Sequence, residues 1–354
     1  MRMLIFAHKV KKLKLDVRAT KLQEYLQKNG IKIIHFNDFN YRNLNLVMLA
    51  NYFKLMFCLL SKKRDDIVLF ENERSVRLLK FFKKFGFKLA LDIIDNRALQ
   101  HSAYQLGDDL ETLDAIQKVL LSNIEICDYI FVVSQECKEL YPKKYHSKIF
   151  IIENASDPML FKFTNLPNNP AVGFISGIAL GRGVELLIQA MQLVREEVRD
   201  AKLSIAGASQ EQTIQYYAEL KEKFESDWIQ FHDDIYYSIN APRFFNECYL
   251  TVIPHPDHVH YQTTLPVKLF DSLSCGRPVV ATNCKETAKI LQSHNCGLVA
   301  DFTATDLAEK IIQLLLDRKM ALRMGTNGRK IVEQIYNWDV MAKKIIDVVS
   351  ESDE

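Results

Sequence analysis

The sequence lacks any run of about 18 uncharged apolar residues, the length an α-helix needs to cross the hydrocarbon of a bilayer. The nearest approach, residues 44–60, is interrupted by Lys54 and reads as a helix with one buried face. A cationic leader with a cleavage site is also missing. The chain opens directly on a strand-like run at 3–7, so no secretory signal is expected. The seven cysteines are odd in number, scattered and without a C-x-x-C pair, which points to free thiols in a reducing cytoplasm rather than a disulfide framework or zinc site. No low-complexity segment or short-period repeat occurs. No G-x-G-x-x-G follows a strand-like run, which argues against an NAD-dependent oxidoreductase. Nor is there an Asp-x-Asp to hold a divalent cation.

What is present is a soluble, globular composition, 48% hydrophobic and 25% charged, in a chain of 354 residues. That length suits two α/β domains of ordinary size. The net charge of +2 is unevenly divided. Residues 1–150 hold 26 Lys+Arg against 17 Asp+Glu, whereas the remainder holds 20 against 27. Lys9, Lys11, Lys12 and Lys14 follow the first strand, and Lys80, Phe81, Phe82, Lys83 and Lys84 form a second, basic-aromatic cluster. Such patches suit anionic lipid or an anionic acceptor, and solvated helix faces explain them equally well. Peripheral membrane contact through the basic first half is an expectation, and no nucleic-acid partner is expected.

Short β-branched runs alternate with helical patterns throughout. Strands are predicted at 3–7, 31–36, 67–70, 89–93, 129–133 and 149–152, then at 172–175, 203–206, 229–231, 250–253, 279–281 and 298–300. Helices are expected between them, for example over 19–28 and 110–126. This alternation predicts an α/β protein of two Rossmann-like, doubly wound domains facing across a cleft. The turn-rich stretch at 165–170, with Pro167 and Pro170, is read as the hinge. The expected domains are 1–164 on the acceptor side, 165–336 for the donor, and a C-terminal helix over 337–354 crossing back to the first domain.

Residues 260–282 carry the most chemistry. Thr263 and Thr264 are N-cap candidates, Pro266 suits a first turn, and a helix is expected over 265–275, with Gly276 as its stop. A helix N-terminus offers free N–H groups to a phosphate. Lys268 adds a charge, and Asp271, three residues on, shares its face and suits a ribose diol. By spacing alone, an amphipathic helix with a surface Lys–Asp pair fits as well.

Leu265-Pro266-x-Lys268-Leu269-Phe270-Asp271, then Gly276-x-Pro278-Val279-Val280-Ala281, resembles the donor-binding signature of group 1 (family 4-like) glycosyltransferases of the GT-B fold. Gly177 with Gly181-Arg182-Gly183 resembles that family's loop after the first strand of its second domain. Residues 203–207, ending in Gly207, resemble its second strand. Residues 151–157, with Asn154 and Asp157, resemble its interdomain segment, and Tyr336-Asn337-Trp338 its crossover. The resemblance covers the second half well and the first half loosely. It implies a cytoplasmic enzyme that moves a sugar from a nucleoside diphosphate sugar to a hydroxyl acceptor, with retention; the basic first half adds the expectation of a glycan or lipid-linked acceptor at the inner membrane face. No cofactor and no metal is implied.

The resemblance places Arg182 and Lys268 at the diphosphate, with backbone N–H groups at Gly177, Thr264 and Leu265. Asp271 would hold the ribose, and the base would rest near Gly207 and against the loop at Asp234 and Ile235. Two departures stand out: the family's leading Glu is Thr263 here, and its ribose carboxylate is the shorter Asp271. On the acceptor side, Ile94 replaces a His, leaving Asp95 as the catalytic-side candidate, and no Gly-Gly loop follows the first strand. Asp16 and Arg18 resemble an Asp-x-Arg pair of a subgroup; Glu71 and Glu73 end the third strand. His255, His258 and His260 look like a metal set by composition, but a loop is expected there, with His258 and His260 touching the donor sugar. Two rivals remain: a catalytically silent binding or scaffold protein, and a sugar-nucleotide epimerase on the same fold.

Overall fold

A computed structural model of the chain describes residues 2–7, 17–37, 58–61, 63, 66–72, 76–105, 109–207, 214–233 and 240–351. Lys9, Lys11, Lys12, Lys14, Asp16, Glu73, Asp234, Ile235 and most of the helix expected over 44–60 lie outside the described residues. All the expected strands form, with ends shifted by no more than one residue: β1 (Arg2–Ala7), β2 (Lys32–Asn37), β3 (Ile67–Glu71), β4 (Lys88–Ile93), β5 (Tyr129–Val132), β6 (Ile149–Ile151), β7 (Ala171–Ile175), β8 (Lys202–Ala206), β9 (Ile229–His232), β10 (Leu250–Ile253), β11 (Val279–Thr282) and β12 (Gly297–Ala300). They build two six-stranded sheets, ordered β2-β1-β3-β4-β5-β6 and β12-β11-β10-β7-β8-β9. Each neighbouring pair is parallel. The chain forms two compact units.

The first unit comprises Met1–Ala98, Asp109–Ile152 and Met341–Glu354. Its central strands are buried along nearly their whole length, as near-continuous apolar runs require in a sheet covered on both faces. Leu4, Val68, Phe70, Leu89, Leu91 and Val132 share one core with Leu79 and Phe82 of α2 (Val76–Lys84) and with Leu120 and Ile124 of α4 (Leu110–Ile126). Fully burying one such side chain contributes roughly 1.5–3 kcal/mol. Asp109 caps α4 by accepting from the Thr112 N–H at 2.7 Å. The basic-aromatic cluster is thus divided. Phe82 is core, while Lys80, Phe81, Lys83 and Lys84 are exposed.

The second unit comprises Leu99–Asp108 and Glu153–Val340. Its principal core joins Val172 and Phe174 of β7, Leu203 and Ile205 of β8 and Val252 of β10 to Leu187, Ile188 and Met191 of α5 (Val184–Glu197) and Leu307 and Ile311 of α8 (Ala304–Leu316).

The chain passes from the first unit to the second between Ile152 and Glu153, before the turn at 165–170 that the composition suggested. Side chains of the second unit bind that turn and the residues ahead of it. Arg277 donates to the Thr164 and Asn165 carbonyls at 2.9 and 3.1 Å, Arg318 to the Leu166 and Pro167 carbonyls at 2.7 and 2.9 Å, and Ser274 to the Phe161 carbonyl at 2.7 Å. At the other end, helix α10 (Trp338–Glu351) begins in the second unit and from Met341 is grouped with the first.

Candidate functional site

The order of the second sheet reverses between β7 and β10, its topological switch point. In open α/β sheets ligands bind beyond the carboxyl ends of the strands at that point. Beyond β7 come Ser176, Gly177 and the 181–183 turn; beyond β10 come Pro254, His255 and the two helices that carry His260 and Lys268. An extra Cβ at Gly177 would meet nothing within 4 Å, so space lies beside its backbone. Gly181 and Gly183 have φ of +72° and +74°, and a Cβ there would lie 2.1 Å from the Ala103 carbonyl oxygen and 1.7 Å from that of Pro254. Only glycine closes that turn. Gly207 meets the Ser176 carbonyl as closely, at 1.6 Å for a built Cβ, which brings the loops after β7 and β8 together.

The helix expected over 265–275 is α7 (Val267–Ser274), and its N-cap is Pro266 without a side-chain cap, rather than Thr263 or Thr264. The threonines are taken up by α6 (Val259–Thr263), whose C-cap is Thr264 in extended conformation. The 255–260 stretch is accordingly part helix, not the loop expected, and His258 is its N-cap, accepting from the His260 N–H at 3.1 Å. Asn154 donates to the Leu265 carbonyl at 2.6 Å and fixes the approach to α7. The Lys268 side chain is turned inward and only 8% exposed, so the surface Lys–Asp pair is not formed. Its Nζ has no hydrogen-bond partner and stands 5.2 Å from the Phe174 ring centroid. Asp271, 1% exposed, accepts from the Ser156 hydroxyl.

Around Lys268 the chemistry is one-sided. Arg182 donates from Nη1 to Ser176 Oγ at 2.8 Å and from Nη2 to the Tyr104 hydroxyl, with its Cζ 4.3 Å from the Tyr104 ring centroid. His255 stacks on Tyr261 at 4.3 Å, and His260 meets Tyr104 edge-on at 5.6 Å. Of the eight buried side-chain N or O atoms without a hydrogen-bond partner among the described residues, four are Arg182 Nε, His255 Nε2, His260 Nδ1 and Lys268 Nζ. Buried polar atoms are nearly always paired, so such a concentration marks a site awaiting a partner. Burial first, and then Arg182, pushes the Lys268 pKa well below its ordinary value. Burial pushes His255 down as well, assisted by Lys268, Arg182 and His260; His260, by burial and then Arg182 and His258, falls to about 3. The groups acting on these three are all bases. No carboxylate is among them. This surplus of basic groups suits an anionic ligand.

Other expected residues fall elsewhere. Arg18, in α1 (Val17–Lys28), grips Asp92 through Nε and Nη2 at 2.9 and 2.8 Å, a buried two-point pair inside the first unit. Glu71 is buried opposite Asp92 in register, and Gln23 donates to it at 3.4 Å. Asp95 is half-buried in the bend after β4. His258 Nε2 is 3.5 Å from Ser102 Oγ. No group of three or more His, Cys, Asp or Glu is arranged to hold a metal among the described residues, and the three histidine rings of 255–260 all pack against the Tyr261 ring. The sequence reading missed Tyr104, Ser156, Ser176 and Tyr261. Tyr104, Ser156 and Tyr261 act on residues distant in sequence, so no local pattern marks them, whereas Ser176 accepts from Arg182 six residues on and lies within the loop already singled out.

Residues 169–317 match the family model described as Glycosyl transferases group 1. The chain is similar to a GDP-mannose-dependent alpha-(1-6)-phosphatidylinositol monomannoside mannosyltransferase of Mycobacterium tuberculosis, 32% identical over 90 residues. That match spans 25% of this chain and 23% of the relative, so it reaches less than a quarter of the relative's length. Among solved structures, a sucrose-phosphate synthase from Thermosynechococcus elongatus matches with a TM-score of 0.76 at 17% identity, over 99% of this chain and 98% of that one. The Anabaena protein HepE in complex with UDP and glucose matches with a TM-score of 0.72 at 13% identity, over 99% and 100%. The fold is GT-B, with two parallel six-stranded sheets and flanking helices.

Proposed function

We propose that this chain, a GT-B protein whose residues 169–317 match the group 1 glycosyltransferase domain, transfers a sugar from a nucleoside diphosphate sugar to a hydroxyl acceptor. The observation that carries the reading is the set of four unmatched buried nitrogens at the switch point, with no carboxylate near them. In the reaction the bond from the anomeric carbon to the β-phosphate oxygen breaks, and negative charge grows on the departing diphosphate. Arg182 and Lys268 are the catalytic groups here, because they bind the departing diphosphate more strongly than the less charged diphosphate ester of the ground state. The backbone at Gly177 borders open space for a phosphate, and the N–H groups from Thr264 and Leu265 into α7 supply further donors.

Asp271 takes the ribose hydroxyls, with Ser156 sharing its carboxylate and compensating for the shorter side chain. The base lies beyond Gly207, and His258 and His260 border the sugar. Side-chain cations meet the diphosphate charge, so turnover proceeds without added divalent metal, a point that assay in EDTA checks. On the acceptor side we assign Asp95 and Glu71 to the first unit's contribution, and Arg18 to holding Asp92 rather than substrate. Retention of configuration is part of the reading and is read out by the anomeric form of the product.

The acceptor class is a glycan or lipid-linked glycan. The mycobacterial relative acts on a phosphatidylinositol monomannoside by its name, and no helix among the described residues is long and apolar enough to span a membrane. A peripheral contact would use α2 and the turn after it, where Phe81 and Phe85 are 37% and 47% exposed near Arg77, Lys80 and Lys84.

The test is a panel of sugar nucleotides, measuring binding and release of free nucleoside diphosphate with and without a membrane extract. Binding and acceptor-dependent release are expected. Binding without turnover on any acceptor would favour a silent scaffold protein. A Lys268→Ala variant that binds as the wild type does would sink the donor-site assignment.

A further inference from the structure

We propose that Tyr104 is the positioning residue of Arg182, so that the donor site includes a residue from the first half of the sequence. The inference rests on the donor-site reading and adds to it. Arg182 has four rotatable side-chain bonds, and an arginine is useful to a diphosphate only when its planar fork is held in one orientation. A carboxylate is the usual means of holding it, but that would cancel the charge the ligand needs. Tyr104 holds it without charge. Its hydroxyl oxygen accepts from Nη2 while its ring face lies 4.3 Å from Cζ, and Ser176 Oγ accepts from Nη1 at 2.8 Å. Two neutral oxygens and a π face therefore fix the fork. Nε is the guanidinium nitrogen left unmatched.

Tyr104 is itself firmly seated. The segment Leu99–Asp108 belongs to the second unit although the sequence on both sides of it belongs to the first. Tyr104 is only 7% exposed, in a cluster with Ala103, Tyr261 and Cys284. Gln100 donates to its hydroxyl at 3.5 Å, and the His260 ring meets it edge-on. The Arg182 turn closes on the same segment. The Ala103 carbonyl oxygen occupies the position of a Cβ at Gly181, and Tyr261 donates to the Gly181 carbonyl at 2.8 Å. The glycine at 181, the cluster and Tyr104 thus form one support for a single cation.

The experiment titrates UDP, GDP, ADP and dTDP calorimetrically against the full chain as wild type, Tyr104→Phe, Arg182→Ala and the double variant, with thermal unfolding recorded for each. Tyr104→Phe keeps the ring and the cluster and removes only the acceptor oxygen, so it should weaken the best-bound nucleotide about 10-fold, the scale of one hydrogen bond to a charged group. Arg182→Ala should weaken it about 100-fold, and adding Tyr104→Phe to it should change nothing further. Arg182→Lys, which keeps the charge but loses the fork, should be insensitive to Tyr104→Phe. An equal loss from Tyr104→Phe with and without Arg182 means that Tyr104 acts by packing alone, and overturns the proposal. So does wild-type affinity in Tyr104→Phe when Arg182→Ala is weakened, an outcome that leaves the donor site standing. Failure of every nucleotide to bind the wild type refutes both.

Discussion

Replacing Lys268 by Met should make the protein more stable while removing its hold on the nucleotide. The two side chains are similar in length, so the change exchanges an ammonium for a thioether and methyl in nearly the same volume. Lys268 is 8% exposed, its Nζ has no partner, and its one compensation is the Phe174 face at 5.2 Å. A desolvated cation–π contact contributes up to about 2 kcal/mol. Burying an ammonium without a counter-ion costs several kcal/mol even after relaxation. The balance favours Met by roughly 1–3 kcal/mol, which in a unit of roughly 200 residues raises Tm by about 2–4 °C per kcal/mol.

The pH dependence distinguishes this cause from better packing. Lys268 has a folded pKa depressed below the unfolded value of 10.5. Below that folded pKa both states hold the proton, and the wild type carries the full penalty. Between the depressed folded pKa and 10.5 the unfolded state still holds the extra proton, and wild-type stability rises with pH across that window. The advantage of Lys268→Met should therefore shrink as pH rises toward 10. His255, which Lys268 helps to push down, is relieved in the variant as well; groups that Lys268 does not act on cancel in the difference. Differential scanning calorimetry from pH 6 to 10, with nucleotide titrations at pH 7, reads both effects. A variant less stable than the wild type, or an advantage constant with pH, would refute the reasoning.

Nucleoside diphosphate binding should take up protons, because the ligand's charge raises the depressed pKa of Lys268; calorimetry in two buffers of different ionisation enthalpy gives the number, and affinity should fall as pH rises. Gly183→Ala should destabilise the second unit by about 1–3 kcal/mol and lower affinity, since the Cβ would lie 1.7 Å from the Pro254 carbonyl oxygen at φ +74°; a Tm shift of under a degree would contradict it. Asp271→Asn should weaken nucleoside diphosphates more than inorganic pyrophosphate, by about 10-fold, because only the former bring a ribose. Asp92→Asn should cost about 3–5 kcal/mol by leaving Arg18 buried without its charge partner, while nucleotide affinity of the protein that remains folded stays at the wild-type value.

The fold was legible because β-branched runs such as Val279 to Ala281 and the helical stretches between them announce themselves by period and length. The glycine turn before α5 and Lys268 were singled out by their resemblance to family motifs, and both lie beyond the strands at the switch point of the second sheet. The handover between units was not. Composition pointed to 165–170, but Arg277, Arg318 and Ser274 bind that stretch from positions more than a hundred residues away. The helix start was misplaced for a smaller reason: Thr263 hydrogen-bonds back to the Val259 carbonyl at 2.9 Å and ends one helix rather than capping the next. Tyr104 lies in a sequence with no motif of its own, and its meaning comes only from the guanidinium that it meets in space.

Cationic side chains that tie this chain together are satisfied in different ways, some buried and some at the surface. In the first unit, Arg2 and Arg18 are cancelled by Asp66 and Asp92. In the second, Arg277 and Arg318 bind backbone carbonyls, while Arg329 adds Glu333 to its carbonyl contacts, and all three tie together segments far apart in sequence. Those arginines are structural, because every bond they make is internal. At the switch point Arg182 Nε has no hydrogen-bond partner, and Lys268 has only the Phe174 ring face at 5.2 Å. The folded state retains this strain because Leu269, Phe270 and Leu273, on the other faces of α7, are completely buried and hold the helix in place whatever Lys268 lacks. Packing therefore fixes the helix, the helix fixes the unpaired charge, and the charge selects a ligand that brings its own anion.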